Sequence, residues 1–236
     1  VYDSSNIQCR YSKEKFTHKN KYELCKSKGI KLLQITDVEW NTKAPIVKSM
    51  ILQRLGISEK LHARKCQLHI PTKNECRDFF NENHIQGYKG HSYAVALEDG
   101  GEIVSIMSFN KHKKHQWEIT RYATKLNLTI VGGAGRLFNK FNDDIKPNSV
   151  LTYSDKRFGD GNVYTKLGFV FNGSTVPNYC YIKSGNVYSR QQFQKYKLKN
   201  KLKFFDERLS EPENMFKNGF RRLWDAGHNR YIYNVK

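Results

Sequence analysis

No run of about 18 apolar residues occurs in this 236-residue chain, so the sequence offers no membrane-spanning segment. No apolar signal-peptide stretch opens it. The first residue is Val1 rather than Met, which predicts further residues upstream. Acid is scarce: 22 Asp and Glu stand against 41 Lys and Arg, a formal net charge of +19. Cysteine is limited to Cys9, Cys25, Cys66, Cys76 and Cys180, an odd number at irregular spacing. That pattern fits reduced thiols in a cytosol rather than a disulfide framework. Cys66-x-x-His69 with Cys76 lacks the paired Cys-x-x-Cys spacing of zinc sites and reads first as small buried side chains. There is no G-x-G-x-x-G, no Walker Lys-Ser/Thr, no internal repeat and no low-complexity segment.

What is present excludes a disordered chain: 14 Tyr, 14 Phe and 3 Trp are enough to build a core. The excess of base points to a polyanionic partner. Nucleic acid is favoured over an anionic membrane, because no amphipathic helix with a broad apolar face is visible.

Periodicity and turn chemistry divide the chain. A Lys-rich helix is predicted over 13–29, ended by Gly29, then a short apolar strand over 30–35 and a helix over 43–55. A basic connector, 59–75, carries Lys60, His62, Arg64 and Lys65. A helix over 73–83 follows. Strands 93–97 and 102–108 flank Asp99-Gly100-Gly101, a hairpin signal. Further strands are predicted at 117–122, 149–153, 169–173 and 178–182, with helices at 136–145 and 162–167. The order β-β-β-α-β-α-β-β describes a mixed sheet with packed helices. A strand-like end, 230–235, closes the chain.

Gly132, Gly133 and Gly135 sit between a strand and a helix. Glycines there let backbone N–H groups approach an anion, aided by the helix dipole; a tight turn with no ligand is the alternative. Glu118 and Arg121, three apart in a strand, point to opposite faces unless a bulge intervenes. Tyr153 and Asp155 share a face. Asp155 at the end of its strand is either a general base or polar anchor, or the ion-pair partner of Lys156, Arg157 or Arg121. Glu118, Tyr153 and Asp155 are therefore catalytic candidates. Lys195, Lys197, Lys199, Lys201 and Lys203, with Arg190, Arg221 and Arg222, mix charge with Tyr188, Phe193, Tyr196 and Phe204. That mixture suits a nucleic acid. Lys111, Lys113 and Lys114 form a second basic cluster on a loop, and Arg157 is a further candidate contact.

The glycine loop opening a helix, the strand ending in Tyr153 and the run Tyr164-Thr165-Lys166-Leu167-Gly168-Phe169 resemble the GNAT acyltransferase family over about residues 76–185. In that family the loop cradles the pyrophosphate of acyl-coenzyme A. The resemblance implies acetyl-CoA or a similar acyl-CoA at Gly132, Gly133, Gly135 and Arg136. The loop departs from the family motif where Thr129 and Ile130 replace an expected Arg or Gln. Trp117-Glu118-Ile119-Thr120-Arg121-Tyr122, the 132–137 loop and Leu151-Thr152-Tyr153-Ser154-Asp155-Lys156-Arg157 are similar to phage Mom-type DNA-modification proteins, which carry an acyl-type group onto adenine in DNA.

Blocks along nearly the whole chain, among them Ala63-Arg64-Lys65-Cys66, Asn83-His84-Ile85-Gln86-Gly87 and Glu213-Asn214-Met215, also resemble phage-encoded homing endonucleases of the Vsr-like class. Thr17-His18-Lys19-Asn20-Lys21, Gly29–Ile35 and Glu39-Trp40 look like the tail of that nuclease core. This implies His18 and Lys21 as catalytic residues and Mg2+ as the metal of a nuclease, its carboxylates lying near Asp3 or upstream; no metal ligands are assigned within the chain.

The expected protein is thus α/β (α+β). A partial or degenerate Vsr-like nuclease segment spans 1–58, and the connector 59–75 leads to a GNAT-like mixed sheet over 76–185. A basic nucleic-acid-contacting extension covers 186–236. The resemblance implies a phage-type DNA-binding protein acting on double-stranded DNA in the cytoplasm of a bacterial host, with no membrane partner. It would be an endonuclease completed by a nuclease partner or a missing N-terminal segment, its GNAT-like domain recognising DNA. The alternatives are a Mom-like acyltransferase and a DNA-binding protein that has lost both chemistries.

Overall fold

A continuous apolar run, Tyr93 to Leu97, sends alternate side chains into the two buried faces at the centre of a seven-stranded sheet. The computed structural model describes residues 15–113 and 116–235. In chain order the elements are α1 (Thr17–Ser27), α2 (Asp37–Leu55), β1 (Glu59–His62), β2 (Gln67–His69), α3 (Lys73–Asn83), β3 (Tyr93–Asp99), β4 (Glu102–Lys113), β5 (Gln116–Thr124), β6 (Leu128–Val131), α4 (Gly133–Ile145), β7 (Ser149–Asp155), α5 (Asn162–Lys166), β8 (Val170–Ser174), β9 (Tyr179–Lys183), β10 (Asn186–Ser189), α6 (Lys195–Leu198), α7 (Glu211–Lys217), β11 (Arg221–Trp224) and β12 (His228–Asn234).

These elements sort into two units, each discontinuous in sequence. One comprises 1–42, 155–160 and 174–228; the other comprises 43–154, 161–173 and 229–236. This interleaving differs from the expected linear division at 58, 75 and 185. Lys43, with non-helical φ −137° and ψ 34°, interrupts α2 at the boundary, and Pro45 follows it.

The larger unit holds the main sheet, in the order β2-β3-β4-β5-β7-β12-β8. Strands β2 to β5 are antiparallel neighbours, whereas β5 and β7 run parallel. Gly100 and Gly101, both at positive φ, make the β3–β4 hairpin as expected. One sheet face packs on α4 through Leu137, Phe138 and Phe141, and Phe141 stacks on Phe109 at 3.7 Å. The other face packs on α3 through Cys76, Phe79 and Phe80, spaced to share one helix stripe. A capping box between Thr72 and Glu75 starts α3. Cys66 and Cys76 are buried free thiols, and burial pushes Cys76 up to about 12. Strands β1 and β6 form a separate parallel ribbon that leads into the glycine loop.

In the smaller unit, β9 lies between β10 and β11 and covers a core of Tyr181, Phe193, Leu198, Met215 and Phe220. The sequence predicts the strand near 178–182 in the main sheet. Its partners are β10 and β11 instead, and β12 takes the place beside β7. The strand expected over 30–35 is extended chain without a ladder. Gln34 donates its N–H to the Arg157 carbonyl at 2.9 Å, and a lone segment with no strand alongside cannot form a sheet.

Candidate functional site

The parallel ladder between β5 and β7 runs only from Gln116–Ser149 to Ile119–Thr152. Strand β5 continues to Thr124 and β7 to Asp155 without further pairing to each other, so the two strands part beyond these residues. Two parallel strands parting at their carboxyl ends, with a glycine-led helix crossing between them, place a crevice where α/β sheets bind ligands.

The glycine loop stands at this crevice. Gly132 is the N-cap of α4 and adopts φ 78°, a left-handed conformation that favours glycine. A Cβ on Gly133 would come within 2.7 Å of Ile130 Cγ2, so that position has no room for a side chain. Gly135 is different. A Cβ there meets only Leu167, at 3.9 Å, and its φ is not positive. A positive φ explains Gly132 and packing against Ile130 explains Gly133, whereas at Gly135 a Cβ would make only an ordinary contact with Leu167. The 13-residue helix α4 also directs its positive dipole end here.

Two tyrosines reach the opening. The Tyr122 hydroxyl lies 3.6 Å from a Cβ position on Gly133. Burial pushes its pKa up to about 12, against hydrogen bonds from Ser105 and the Ala134 N–H. Burial also raises the pKa of the Tyr164 hydroxyl, against the opposing influence of the Thr152 side chain and of the Arg121 charge. Spacing singles out neither residue, although Tyr164 begins the Tyr-x-x-x-Gly-Phe pattern. Arg136, expected to hold a cofactor, is committed elsewhere. Its Nη1 donates to the carbonyls of Ala63 and Cys66, the latter at 2.7 Å, and so braces the 63–66 turn.

On β5 the register slips between Ser108 and Phe109, leaving Thr120 as an extra residue. The bulge brings Glu118 and Arg121 to one face. Arg121 Nε donates to the Gly87 carbonyl at 3.0 Å and Nη1 to the Thr120 carbonyl at 2.7 Å. Glu118 lies 3.7 Å from Lys89 Nζ. No carboxylate lies within 4.0 Å of Arg121 among the described residues. Nearby His84 is lowered to about 3 by burial and by the charges of Arg121 and Lys43. It is neutral at ordinary pH, and its Nδ1 accepts the Gln86 N–H at 3.1 Å. A surface hollow lined by Pro45, Phe79, Asn83 and Leu126 shares no residue with the loop.

The other catalytic candidates do not converge. Asp155 Oδ2 is 3.2 Å from Arg157 Nη2, and its Oδ1 accepts the Arg157 N–H at 2.9 Å. Arg157 Nη1 pairs with Glu39 Oε1 at 3.0 Å, and Glu39 Oε2 accepts from Thr36 N–H and Oγ1. This is the ion-pair alternative for Asp155, and it removes both Asp155 as a free base and Arg157 as a surface contact, since the Arg157 side chain is only 16% exposed. Tyr153 is half-buried with no hydrogen-bond partner among the described residues. His18 is buried, with Nδ1 at 3.0 Å from Gln34 Oε1, and burial lowers its pKa. Lys21 is exposed. They lie one turn apart on α1, and the charge of Lys21 contributes to lowering His18. Asp3 and Lys114 lie outside the described residues, as does the Lys113 side chain.

Of the basic candidates, Lys111 is exposed with its ammonium 5.9 Å from the Trp117 ring. The 195–203 lysines lie on a short helix and turns rather than on one strand face. Lys195 donates to the Glu207 carbonyl, Lys197 to the Gln191 carbonyl, and Lys199 lies 4.0 Å from Glu207. Lys201 lies over Phe193, and Lys203 is exposed. Arg190 is 3.8 Å from Glu211 and stacks over Tyr179. Arg221 lies over Phe216, and Arg222 over Tyr179 and Trp224.

Solved structures with a similar course of chain are acetyltransferases. One is from Bacillus subtilis in complex with CoA, 11% identical, TM-score 0.43, covering 73% of this chain and 100% of its own. A GNAT family acetyltransferase from Elizabethkingia anophelis with acetyl-CoA bound is 11% identical, TM-score 0.41, covering 72% and 99%. An acetyltransferase from Salmonella typhimurium with acetyl-CoA is 8% identical, TM-score 0.43, covering 73% and 95%. No family model and no curated protein sequence matches. Scores below 0.5 do not assign a family. No helix among the described residues is long and apolar enough to cross a membrane.

Proposed function

We propose that this chain is an acyl-coenzyme A-dependent acyltransferase of GNAT type whose acceptor is a base of DNA, the Mom-like alternative rather than the endonuclease. The observation that carries the reading is the parting of β5 and β7 beside a glycine loop whose Gly135 has neither a positive φ nor a steric clash to account for it. Acyl-CoA supplies an activated thioester when bound. The residues present suit it: the Gly132–Gly135 backbone and the α4 dipole hold a pyrophosphate, and Gly135 admits it without a Cβ in the way. Tyr164 keeps its proton at neutral pH because burial raises its pKa. Its Oη would protonate the coenzyme A thiolate as it leaves and regain a proton from the attacking amino group of the base. Arg121 holds negative charge at the same opening through the guanidinium donors that its two carbonyl bonds leave over. A net charge of +19 favours a polyanionic acceptor.

The test is radiolabelled acetyl-CoA incubated with the protein and DNA, following label in the DNA and free thiol released. DNA-dependent thiol release with labelled base supports the reading. Thiol release that is identical with and without DNA rejects the acceptor, and no turnover with any short-chain acyl-CoA rejects the reaction.

A further inference from the structure

The smaller unit exposes two phenylalanines around the end of α7: Phe204 is 46% exposed and Phe216 54%. Phe216 lies in α7, and the backbone of Phe204 is tied to the end of that helix. Asn218 accepts the Phe204 N–H at 3.1 Å and donates to the Phe204 carbonyl at 2.8 Å, tying that residue to the end of α7. Each ring carries a cation. Lys217 Nζ lies 5.1 Å from the Phe204 centroid, and the Arg221 guanidinium lies 4.2 Å from that of Phe216. Arg221 is itself fixed by donating to the Phe220 carbonyl at 3.0 Å.

The surrounding charge is one-sided. Residues 186–222 contain ten basic and four acidic side chains. Asp206 is bound to Arg208, Glu211 to Tyr179 and Tyr181, and Glu213 to the Ser210 cap. Only Glu207 approaches a lysine of the run, Lys199. Lys201, Lys203, Lys217 and Arg221 have no carboxylate within 4.0 Å among the described residues. Exposed rings flanked by cations that hold no carboxylate within 4.0 Å among the described residues match what an unpaired strand needs: a π-face for the base and positive charge for the phosphate. A duplex offers no free base faces, so it cannot use the rings in this way. A membrane fits less well, because a ring carrying a cation over its face enters hydrocarbon only by taking the charge along.

We propose that Phe204 and Phe216, with Lys217 and Arg221, form a stacking site for unpaired bases of a single-stranded nucleic acid. This site shares the nucleic-acid partner of the acyltransferase reading but needs neither acyl-CoA nor turnover.

The test is fluorescence anisotropy with short oligothymidylate, an abasic phosphodiester chain of equal length and a duplex, each over a salt series with the full chain. Wild type should bind oligothymidylate well above the other two. Phe204→Ala with Phe216→Ala should lose roughly tenfold or more in affinity while keeping the salt slope. Phe204→Tyr with Phe216→Tyr should restore the affinity. Lys217→Gln with Arg221→Gln should reduce the slope, by about 0.7 for each phosphate no longer neutralised. Phe171→Ala, at another exposed ring (55%), is the control and should bind as wild type. Equal affinity for the abasic chain, or unchanged binding by the alanine pair with an unchanged melting curve, overturns the proposal. Loss of binding to phosphatidylglycerol vesicles in the alanine pair, with oligothymidylate binding intact, overturns it in favour of a membrane. Acyl transfer that survives in the alanine pair leaves the acyltransferase reading standing by itself.

Discussion

Glu118 and Arg121 stand on the same face of β5 although they are three positions apart, because Thr120 is inserted as a bulge against Ser108 and Phe109. Both side chains reach the same segment, Gly87 to Lys89. The two are not equal in weight. Arg121→Leu leaves the Gly87 and Thr120 carbonyls without their donors and should cost about 1–3 kcal/mol. Glu118→Gln removes a partly exposed pair with Lys89 and should cost about 1 kcal/mol or less. Urea denaturation of the two variants checks the order. Equal losses would mean that the carbonyl bonds do not hold the bulge.

Gly133 and Gly135 should respond in opposite ways to a side chain. Gly133→Val drives a Cβ into Ile130 and should destabilise the fold strongly. Gly135→Ala meets only Leu167 at van der Waals distance and replaces a helical glycine, so it should stabilise by about 0.5–1 kcal/mol. Thermal melts without ligand should show the Gly135 variant above wild type and the Gly133 variant below. The reverse order would contradict the clash at Gly133 and its absence at Gly135.

Arg157 is an internal tie. Breaking a mostly buried pair leaves an uncompensated charge, so Arg157→Met should cost on the order of 3 kcal/mol through Asp155 and Glu39. Asp155→Asn should likewise lower stability while leaving turnover per folded molecule within about twofold. Removal of a general base from that position would instead cut turnover by about 100-fold or more at unchanged stability.

His84 sets a pH dependence. Its folded pKa, about 3, is depressed by burial and then by Arg121 and Lys43, below the ordinary value of about 6.5. Below pH 6.5 the unfolded chain takes up a proton that the folded chain refuses. Stability is therefore full above pH 6.5 and falls as pH drops toward 3, by at most about 1.4 kcal/mol per unit from this group. His84→Asn should flatten that part of the decline in denaturation series at pH 7, 6 and 5. Parallel curves for wild type and variant would remove His84 from the account.

Elements with strong local signals were legible in the sequence. The helix over 73–83 and the Asp99-Gly100-Gly101 hairpin both stand where expected, and the structure shows a capping box opening the helix and paired glycines making the turn. The segment 30–35 misled because an apolar run states burial and not a neighbouring strand. The two interleaved units were invisible for a similar reason: Asp155 to Asp160 joins the smaller unit through Arg157 to Glu39, a contact across 118 positions that no local pattern encodes. In the candidate site, the glycine loop was readable and its inventory was not. Arg136 has the composition of an anion ligand but spends its donors on the 63–66 turn, whereas Tyr122 enters because of the bulge.

The most direct test is calorimetric titration of acetyl-CoA into the wild-type protein and into Gly135→Val. Saturable one-site binding by wild type, weakened at least tenfold in a variant that melts as a folded protein, is the predicted result. No heat of binding with wild type, or equal affinity in the two proteins, would contradict the assignment of the glycine loop as an acyl-coenzyme A site.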